Sequence, residues 1–348
     1  MKILFLVDGL YNAGGTERVV CNLANLFSKE LGCTVIIANR TTTKENVYFS
    51  LNDKIKVEAL GKNYFHFYRN LNKFIKEQQP SIILIHNMGK LSLFSSFLKI
   101  PKNCKLLSLE HVAFQSRPYW VRILSKVVYK KYHQIIALTQ NDKMAYSVFH
   151  QNVISIPNIS AYDVTTLNNV YNTKSKKVIA VGRLTYQKNF LALLTAWKGI
   201  QERYSGWDLA IYGEGEDRKV LEEYITENKL TTVTLKGNQT DLSDAYKKAS
   251  FLVMSSHYEG FGLVLIEAQS FGLPLISFDC PYGPSEIIKN NHNGYLVENQ
   301  NIKLLENKIA DMMNQEERRA LFSKNAKEDA LRFSSAAILE QWKYALFK

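Results

Sequence analysis

The chain has 348 residues, 46% of them hydrophobic, and no low-complexity tract. That fits two globular domains of ordinary size and excludes disordered, collagenous and repeat architectures. The net charge of +12 is segregated, with 21 Lys and Arg against 10 Asp and Glu in residues 1–170 and 23 against 22 in the remainder. Such an asymmetry suits an anionic partner for the first half only, either a nucleic acid or a membrane surface. The four cysteines (Cys21, Cys33, Cys104, Cys280) form no CxxC pair. This points to free thiols in a reducing cytoplasm rather than a disulfide frame or zinc site.

The N-terminal MKILFLVDGL carries only five apolar residues in a row before Asp8, too short for a signal peptide, so ILFLV (3–7) is expected as a first buried strand. No run of eighteen apolar residues suggests a spanning helix. Further strands are expected at TVIIANR (34–40), SIILIHN (81–87), KLLSLEH (105–111), QIIALTQ (134–140) and VISIPN (153–158). Several are continuous apolar runs, as parallel strands covered on both faces require. Between the first two, Val19, Val20, Leu23, Leu26 and Phe27 form a helical stripe that ends at Gly32.

Residues 159–176 are polar and aperiodic, and read as an interdomain linker. The alternation then restarts with KVIAVGR (177–183), DLAIYGEG (208–215), TVTLKGN (232–238), FLVMSS (251–256) and LPLISFD (273–279), helices between them. Strand–helix alternation twice over predicts two Rossmann-like α/β domains with parallel sheets facing across a cleft, ligands lying beyond the carboxyl ends of the strands. The closing FSSAAILEQWKYALFK has an apolar stripe of Ile338, Leu339, Trp342 and Ala345, which fits a cap on its own domain or a return to the first.

The chemistry-bearing loops follow those strands. In DGLYNAGGTERVV, Gly14 and Gly15 permit a turn whose N–H groups and helix dipole would face an anion, although a plain glycine turn fits as well. A P-loop would need a lysine after the last glycine, and Thr16 stands there instead. VGRLTYQKN ends a strand at Gly182 and offers Arg183 and Lys188, two cations suited to a diphosphate. YGEGED lacks the third glycine of a dinucleotide fingerprint, yet Gly213, with Gly237 after the next strand, would allow close approach to a nucleobase. EHVAF presents His111 beyond a strand of the basic half. SSHYEGFGLVLIEAQSFGLP sets Glu259 in a glycine loop and Glu267 inside an apolar run. A divalent metal has no obvious seat, since there is no Asp-x-Asp pair, HExxH or histidine cluster.

Two basic stretches suit a headgroup layer. SRPYWVRILSKVVYKKYHQ (116–134) strings Trp120, Val121, Leu124, Val127, Val128 and Tyr132 along a helical stripe, interleaved with Arg122, Lys126, Lys130 and Lys131. NYFHFYRNLNKFIK (63–76) adds Tyr64, Phe65, Phe67 and Tyr68 beside Arg69 and Lys73. A core-packed helix with a solvated basic face is the alternative. No RNA- or DNA-binding module is recognisable, which argues against nucleic acid.

Taken together, GGTERVVCNLAN, VGRLTYQKN, YGEGED, SSHYEGFGLVLIEAQSFGLP and GPSEIIKNNHNGYLV resemble the GT4 family of retaining glycosyltransferases with the GT-B fold, over essentially the whole chain. The version with GPSEII and EHVAF is most similar to bacterial enzymes that extend lipid-linked surface glycans. The resemblance implies an acceptor-binding domain over 1–165, a nucleotide-sugar domain over 166–331, and a last helix (332–348) crossing back to the first domain. It implies that Arg183 and Lys188 bind the pyrophosphate, that Glu267 accepts the ribose hydroxyls, and that Glu259 reaches the donor sugar. Gly260, Phe261, Gly262 and Leu263 would meet donor oxygens at a helix start, Gly14 and Gly15 would close over phosphate and sugar, and His111 would contact the transferred sugar. His111, Glu259, Arg183 and Lys188 form the implied catalytic set.

The implied reaction moves a hexose or N-acetylhexosamine from a nucleotide-diphosphate sugar, UDP by family frequency, to a polyprenyl-diphosphate-linked or other lipid-linked glycan. Capsule, O-antigen, lipopolysaccharide or exopolysaccharide would be the product, with no cofactor or metal. A soluble transferase acting on a small or polysaccharide acceptor is the alternative. The expected protein is a monomer or weak dimer, peripheral on the cytoplasmic face of the bacterial inner membrane, with Trp120, Arg122, Lys126, Lys130 and Lys131 facing the lipid.

Overall fold

The computed structural model describes residues 1–87, 90–168 and 170–347, the side chains of residues 87 and 90 excepted. Aliphatic runs that need cover on both faces find it in two separate parallel sheets. The first contains β1 (Lys2–Leu6), β2 (Thr34–Asn39), β3 (Lys56–Ala59), β4 (Ile82–Asn87), β5 (Lys105–Glu110), β6 (Gln134–Ala137) and β7 (Val153–Ser155). Its spatial order is β3-β2-β1-β4-β5-β6-β7, every pairing parallel. Helices α1 (Gly15–Glu30), α2 (Tyr64–Gln78), α3 (Lys90–Ser95), α4 (Tyr119–Val128) and α5 (Gln140–Ser147) connect the strands.

The second sheet contains β8 (Lys177–Val181), β9 (Asp208–Tyr212), β10 (Val233–Gly237), β11 (Phe251–Met254), β12 (Leu275–Phe278) and β13 (Gly294–Val297), in the order β10-β9-β8-β11-β12-β13. It too is wholly parallel. Its helices are α6 (Phe190–Lys198), α7 (Arg218–Glu227), α8 (Ser243–Lys248), α9 (Leu263–Ser270), α10 (Pro284–Ile287), α11 (Ile302–Asn314) and α12 (Glu316–Ala330). The strand order reverses between β1 and β4 in one sheet and between β8 and β11 in the other. At such a reversal the flanking connections run to opposite faces and leave a crevice beyond the carboxyl ends.

Met1–Ala161 together with the segment from Ser335 forms one compact unit, and Tyr162–Ser334 the other. The last helix, α13 (Ser335–Phe347), thus belongs to the first unit. Its Trp342 is buried and meets the ring of Phe27 on α1 edge-on, centroids 5.2 Å apart.

The stretch 159–176 is not a loose tether. Tyr162 packs against Tyr246 and Phe271, its hydroxyl donates to Asp241 at 2.8 Å, and the Tyr171 hydroxyl donates to the Ser250 carbonyl at 2.6 Å. Thr173 and Lys174 both bond Glu316, at 2.8 and 2.9 Å. Polar and aromatic anchors hold this segment to the second unit, and an apolar periodicity does not register them. Two strands also escaped the sequence pattern. β3 is a partly exposed edge strand (KVEA), and β13 opens at Gly294, where a Cβ would stand 2.1 Å from the Leu275 carbonyl oxygen. Among the described residues no helix is long and apolar enough to cross a membrane.

Replacing Trp342 with Ala removes a buried indole from the α13–α1 contact, and such truncations cost about 3–5 kcal/mol. Urea unfolding followed by circular dichroism should show the first unit melting at clearly lower denaturant; an unchanged midpoint would contradict the docking of α13.

Candidate active site

In the second unit two loops leave the strands that flank the reversal. The loop after β8 carries Arg183 and Lys188, and the loop after β11 carries Glu259. Lys188 Nζ lies 2.6 Å from Glu259 Oε1, and the Ser256 hydroxyl donates to the same oxygen at 2.6 Å. Glu259 is 6% exposed, so its charge depends on these two donors. Its other oxygen, Oε2, has no hydrogen bond among the described residues and stays available to a ligand hydroxyl. The lysine stem crosses Gly182, where a Cβ would meet its carbons at 3.0 Å.

The two loops are stitched along their length. The His257 amide donates to the Gln187 carbonyl (2.8 Å), the Gln187 side chain donates to the Tyr258 carbonyl (3.1 Å), and Tyr186 stacks on His257 at 4.3 Å. Ser255 Oγ donates to the carbonyls of Lys188 and Asn189 at 3.1 and 3.0 Å. Asn189, left-handed at φ 46°, caps α6. Arg183 is exposed and has no side-chain partner among the described residues. Lys188, read from the sequence as a free point charge, is engaged by Glu259; Arg183 is the uncommitted cation of the loop.

Gly262 adopts φ 96° as the N-cap of α9, no side chain caps that helix, and Leu263 is its first residue. The Leu265 amide turns back to the Gly262 carbonyl at 2.9 Å, which leaves the amides of Leu263 and Val264 at the helix start without helical acceptors. Gly260 precedes this turn; Phe261 is buried with its ring edge-on to Phe333, and Gly283 packs so closely on the Phe261 carbonyl that a Cβ would stand 2.1 Å from it. Gly283 was not singled out in the sequence; the GPSEII block was its signal. One turn further on, Glu267 is buried and accepts the Tyr246 hydroxyl at 3.0 Å. Gly213 donates its amide to the Gly237 carbonyl at 2.9 Å, with φ values of 145° and 70° at the two glycines. A Cβ on Gly213 would fall 1.9 Å from the Gly182 carbonyl oxygen, so the close crossing of the two chain segments requires this glycine. Cys280, after β12, is a buried thiol pushed up to about 12 by burial and by the Glu259 charge.

In the first unit, β4 and β5 end side by side and bring His86 and His111 together. His86 Nδ1 and His111 Nε2 are 3.1 Å apart, with rings stacked at 5.4 Å and 15°. One nitrogen of that contact must carry the proton and the other accept it. Burial pushes the His111 imidazole down to about 4, against a smaller upward pull from Glu110. It pushes His86 well below the ordinary histidine range, and His111 adds to that. His86 Nε2 is buried with no hydrogen-bond partner among the described residues. Sequence reading passed over His86 because it closes an apolar strand.

Glu110 is fully engaged by the fold. It accepts from Ser108 at 2.5 Å, from Tyr146 at 3.1 Å, and from the buried Arg117. Asp8, after β1, pairs with Arg40 at 2.8 Å. Gly14 is the N-cap of α1 in an extended conformation (φ −90°), and Gly15 is the first helical residue. Neither glycine takes a positive φ. A Cβ on Gly14 would stand 2.2 Å from the Glu17 carboxylate, the movable end of a side chain that folds over this helix start.

The basic helix α4 divides its apolar residues between two faces. Val121, Val128 and Tyr132 are buried, whereas Trp120, Leu124 and Val127 are exposed together with Tyr119 and Ile123. The stripe read from the sequence is therefore split, and a second apolar face looks outward. Lys126, Lys130 and Lys131 are exposed, and Arg122 donates to Gln115 at 2.5 Å. Among the described residues no group of three or more His, Cys, Asp or Glu side chains could hold a metal ion.

Comparison with known proteins places these loops in context. The glycosyl transferases group 1 family matches residues 167–329, and glycosyltransferase family 4 matches residues 13–158. The amylovoran biosynthesis glycosyltransferase AmsD of Erwinia amylovora is 31% identical over 98% of both chains. A Campylobacter jejuni α-1,4-N-acetyl-D-galactosaminyltransferase, named for a GalNAc-bearing diNAcBac-PP-undecaprenol acceptor, is 28% identical over 98% of this chain and 97% of its own. Among solved structures, a mutant of S. aureus TarM in complex with fondaparinux, α-GlcNAc-glycerol and UDP superposes with a TM-score of 0.82 at 18% identity, covering 100% of this chain and 99% of that one. The fold is thus the two-domain Rossmann-like GT-B arrangement.

Both imidazoles of the His86–His111 pair should remain neutral across the window from pH 6.5 to about 4 in which an ordinary histidine charges. In that window the unfolded chain takes up protons that the folded pair refuses, so the pair's contribution to stability falls as pH falls. Asp142, pushed up to about 7 by burial, works in the opposite sense, so the measurement must be site-resolved. Nitrogen-15 NMR of labelled imidazoles at pH 5 should report two neutral rings; a charged His111 there would refute the assignment.

Proposed function

The chain belongs to the glycosyltransferases of group 1 and family 4, and on that premise we propose that it moves a hexose or N-acetylhexosamine from a uridine-diphosphate sugar to a lipid-linked glycan in bacterial surface polysaccharide synthesis. The observation that carries this reading is the Lys188–Glu259–Ser256 cluster beside the uncommitted Arg183. It offers a donor both a fixed carboxylate oxygen and a free cation at the reversal of strand order.

Cleaving a glycosyl phosphate develops negative charge on the leaving diphosphate and positive charge on the sugar. Arg183 and the uncapped amides of α9 stabilise the first without moving a proton. Lys188 lies between Glu259 and that diphosphate, and its charge serves both. Glu259 Oε2 accepts a hydroxyl of the transferred sugar, and Glu267, steadied by Tyr246, accepts the ribose hydroxyls. The glycosyl–phosphate C–O bond breaks, a C–O bond to the acceptor oxygen forms on the same face, and the acceptor proton passes to the departing phosphate oxygen. Configuration is thereby retained, and no metal is needed. His111, neutral at working pH and steadied by His86, hydrogen-bonds and orients the transferred sugar. The outward apolar face of α4, with Lys126, Lys130 and Lys131, supports a seat on the anionic cytoplasmic surface of the inner membrane.

UDP should raise the melting temperature, and calorimetry in EDTA should give the same affinity as with Mg²⁺. Arg183→Ala and the isosteric Glu267→Gln each remove a charge-assisted contact worth ~1.5–3 kcal/mol, weakening UDP by roughly tenfold to a hundredfold. Indifference to UDP would sink the reading.

The purified protein should also sediment with anionic vesicles and come off in salt. Equal partitioning to neutral vesicles would rule out an electrostatic seat.

A further inference from the structure

Helices α2 and α3 enclose an apolar groove of about 230 Å³ that the proposed donor chemistry does not use. Its floor is Phe67, Leu71, Leu91 and Leu98, all buried, and its rim is formed by Tyr64, Phe65 and Phe94, which are 41%, 74% and 48% exposed. Both helices start after the carboxyl ends of their strands, β3 and β4, so the groove borders the edge of the sheet that carries His111. At that border Tyr64 stacks on Phe94 (5.5 Å), lies under the Arg40 guanidinium (4.4 Å) and reaches Asp8 with its hydroxyl (3.4 Å).

On the other side the groove continues to α4. The Tyr68 hydroxyl donates to the carbonyl of Phe97, whose exposed ring carries the Lys131 ammonium at 5.1 Å. Lys131 ends the turn that follows α4, the helix with the outward apolar face. Exposed apolar helix, slot and the sheet edge at Asp8 therefore lie in series within one unit, with Arg40, paired to Asp8, over the rim ring of Tyr64 at one end and Lys131 over the neighbouring Phe97 ring at the other.

We propose that this groove holds the isoprenoid chain next to the diphosphate of a polyprenyl-diphosphate-linked acceptor, leading it from the lipid surface at α4 to the sheet edge at Asp8 and His111. The proposal rests on the reading that the acceptor is lipid-linked. The volume equals roughly seven or eight waters at ~30 Å³ each, room for a single chain of a few isoprene units. A partner helix, about 10 Å across, would not enter it. Bilayer acyl chains need only an open face such as that of α4, whereas a recessed slot with flanking cations selects one apolar chain that bears an anionic head.

The test uses the full chain with saturating UDP present, so that the donor site does not compete for phosphate. Binding of inorganic pyrophosphate, geranyl diphosphate and farnesyl diphosphate is compared by calorimetry. Affinity should rise with chain length, by about tenfold or more from pyrophosphate to the farnesyl compound. Substituting Phe65→Ser and Phe94→Ser together, both at the exposed rim, should abolish that gain and leave pyrophosphate binding as it was. Binding independent of chain length, or a gain that survives the double substitution, overturns the proposal. So does a double variant that loses only its attachment to anionic vesicles, since the patch is then a general membrane contact. UDP affinity is read first, by titrating UDP into the chain alone; its absence refutes the transferase reading, while chain-length discrimination judges the groove by itself.

Discussion

All thirteen strands among the described residues run parallel within their sheets, and that constraint decides which loops share an edge. Parallel strands send every carboxyl-end loop to one edge, and the reversal of order separates two of those loops enough to admit a ligand. Lys188 and Glu259 are 71 positions apart in sequence and 2.6 Å apart in space because β8 and β11 are neighbours. His86 and His111 meet for the same reason at the ends of β4 and β5. The helices that cover the sheets supply the remaining parts, a helix start at Gly262 in one unit and a groove beside the sheet edge in the other.

Three buried carboxylates show how a fold separates structural charge from usable charge. Glu110 is enclosed by Ser108, Tyr146 and Arg117, so it ties the end of β5 to α5 and to the segment leading into α4. Breaking such a buried pair by removing one partner costs about 3–5 kcal/mol, and this is why it behaves as framework. Glu259 has two donors on one oxygen, leaving the other oxygen open. Glu267 shares the buried Tyr246 hydroxyl from the interior of α9. The apolar residues between the two glutamates, Leu265 and Ile266 among them, are buried and anchor α9 to its sheet. That anchoring fixes the distance between the two carboxylates.

Much of this was legible in the residues. Continuous runs such as IILIHN and FLVM declare parallel strands, and glycine and charge after a strand mark the loop that carries Arg183 and Lys188. Edge strands and tethered segments were not legible, because their signal is not periodic. β3 has one clear apolar residue, and 159–176 is held by tyrosine hydroxyls and a pair of bonds to Glu316 that no local pattern encodes. Gly14 is a subtler case. Its backbone is extended rather than left-handed, and the Glu17 carboxylate that folds against it is not announced by any local pattern.

The sequence by itself determined the two α/β halves, the segregation of basic charge, and which loops carry Arg183, Lys188, Glu259 and Glu267. Period, glycine placement and charge are local properties, and those features follow from them. The tertiary structure decided which groups meet: that Glu259 takes up the charge of Lys188 while Arg183 stays free, that His86 backs His111, and that α4 turns one apolar face inward and the other outward. Partnership and exposure depend on strand order and on what packs above each face. Both are set by contacts between residues far apart in the chain, and no local window of sequence contains them.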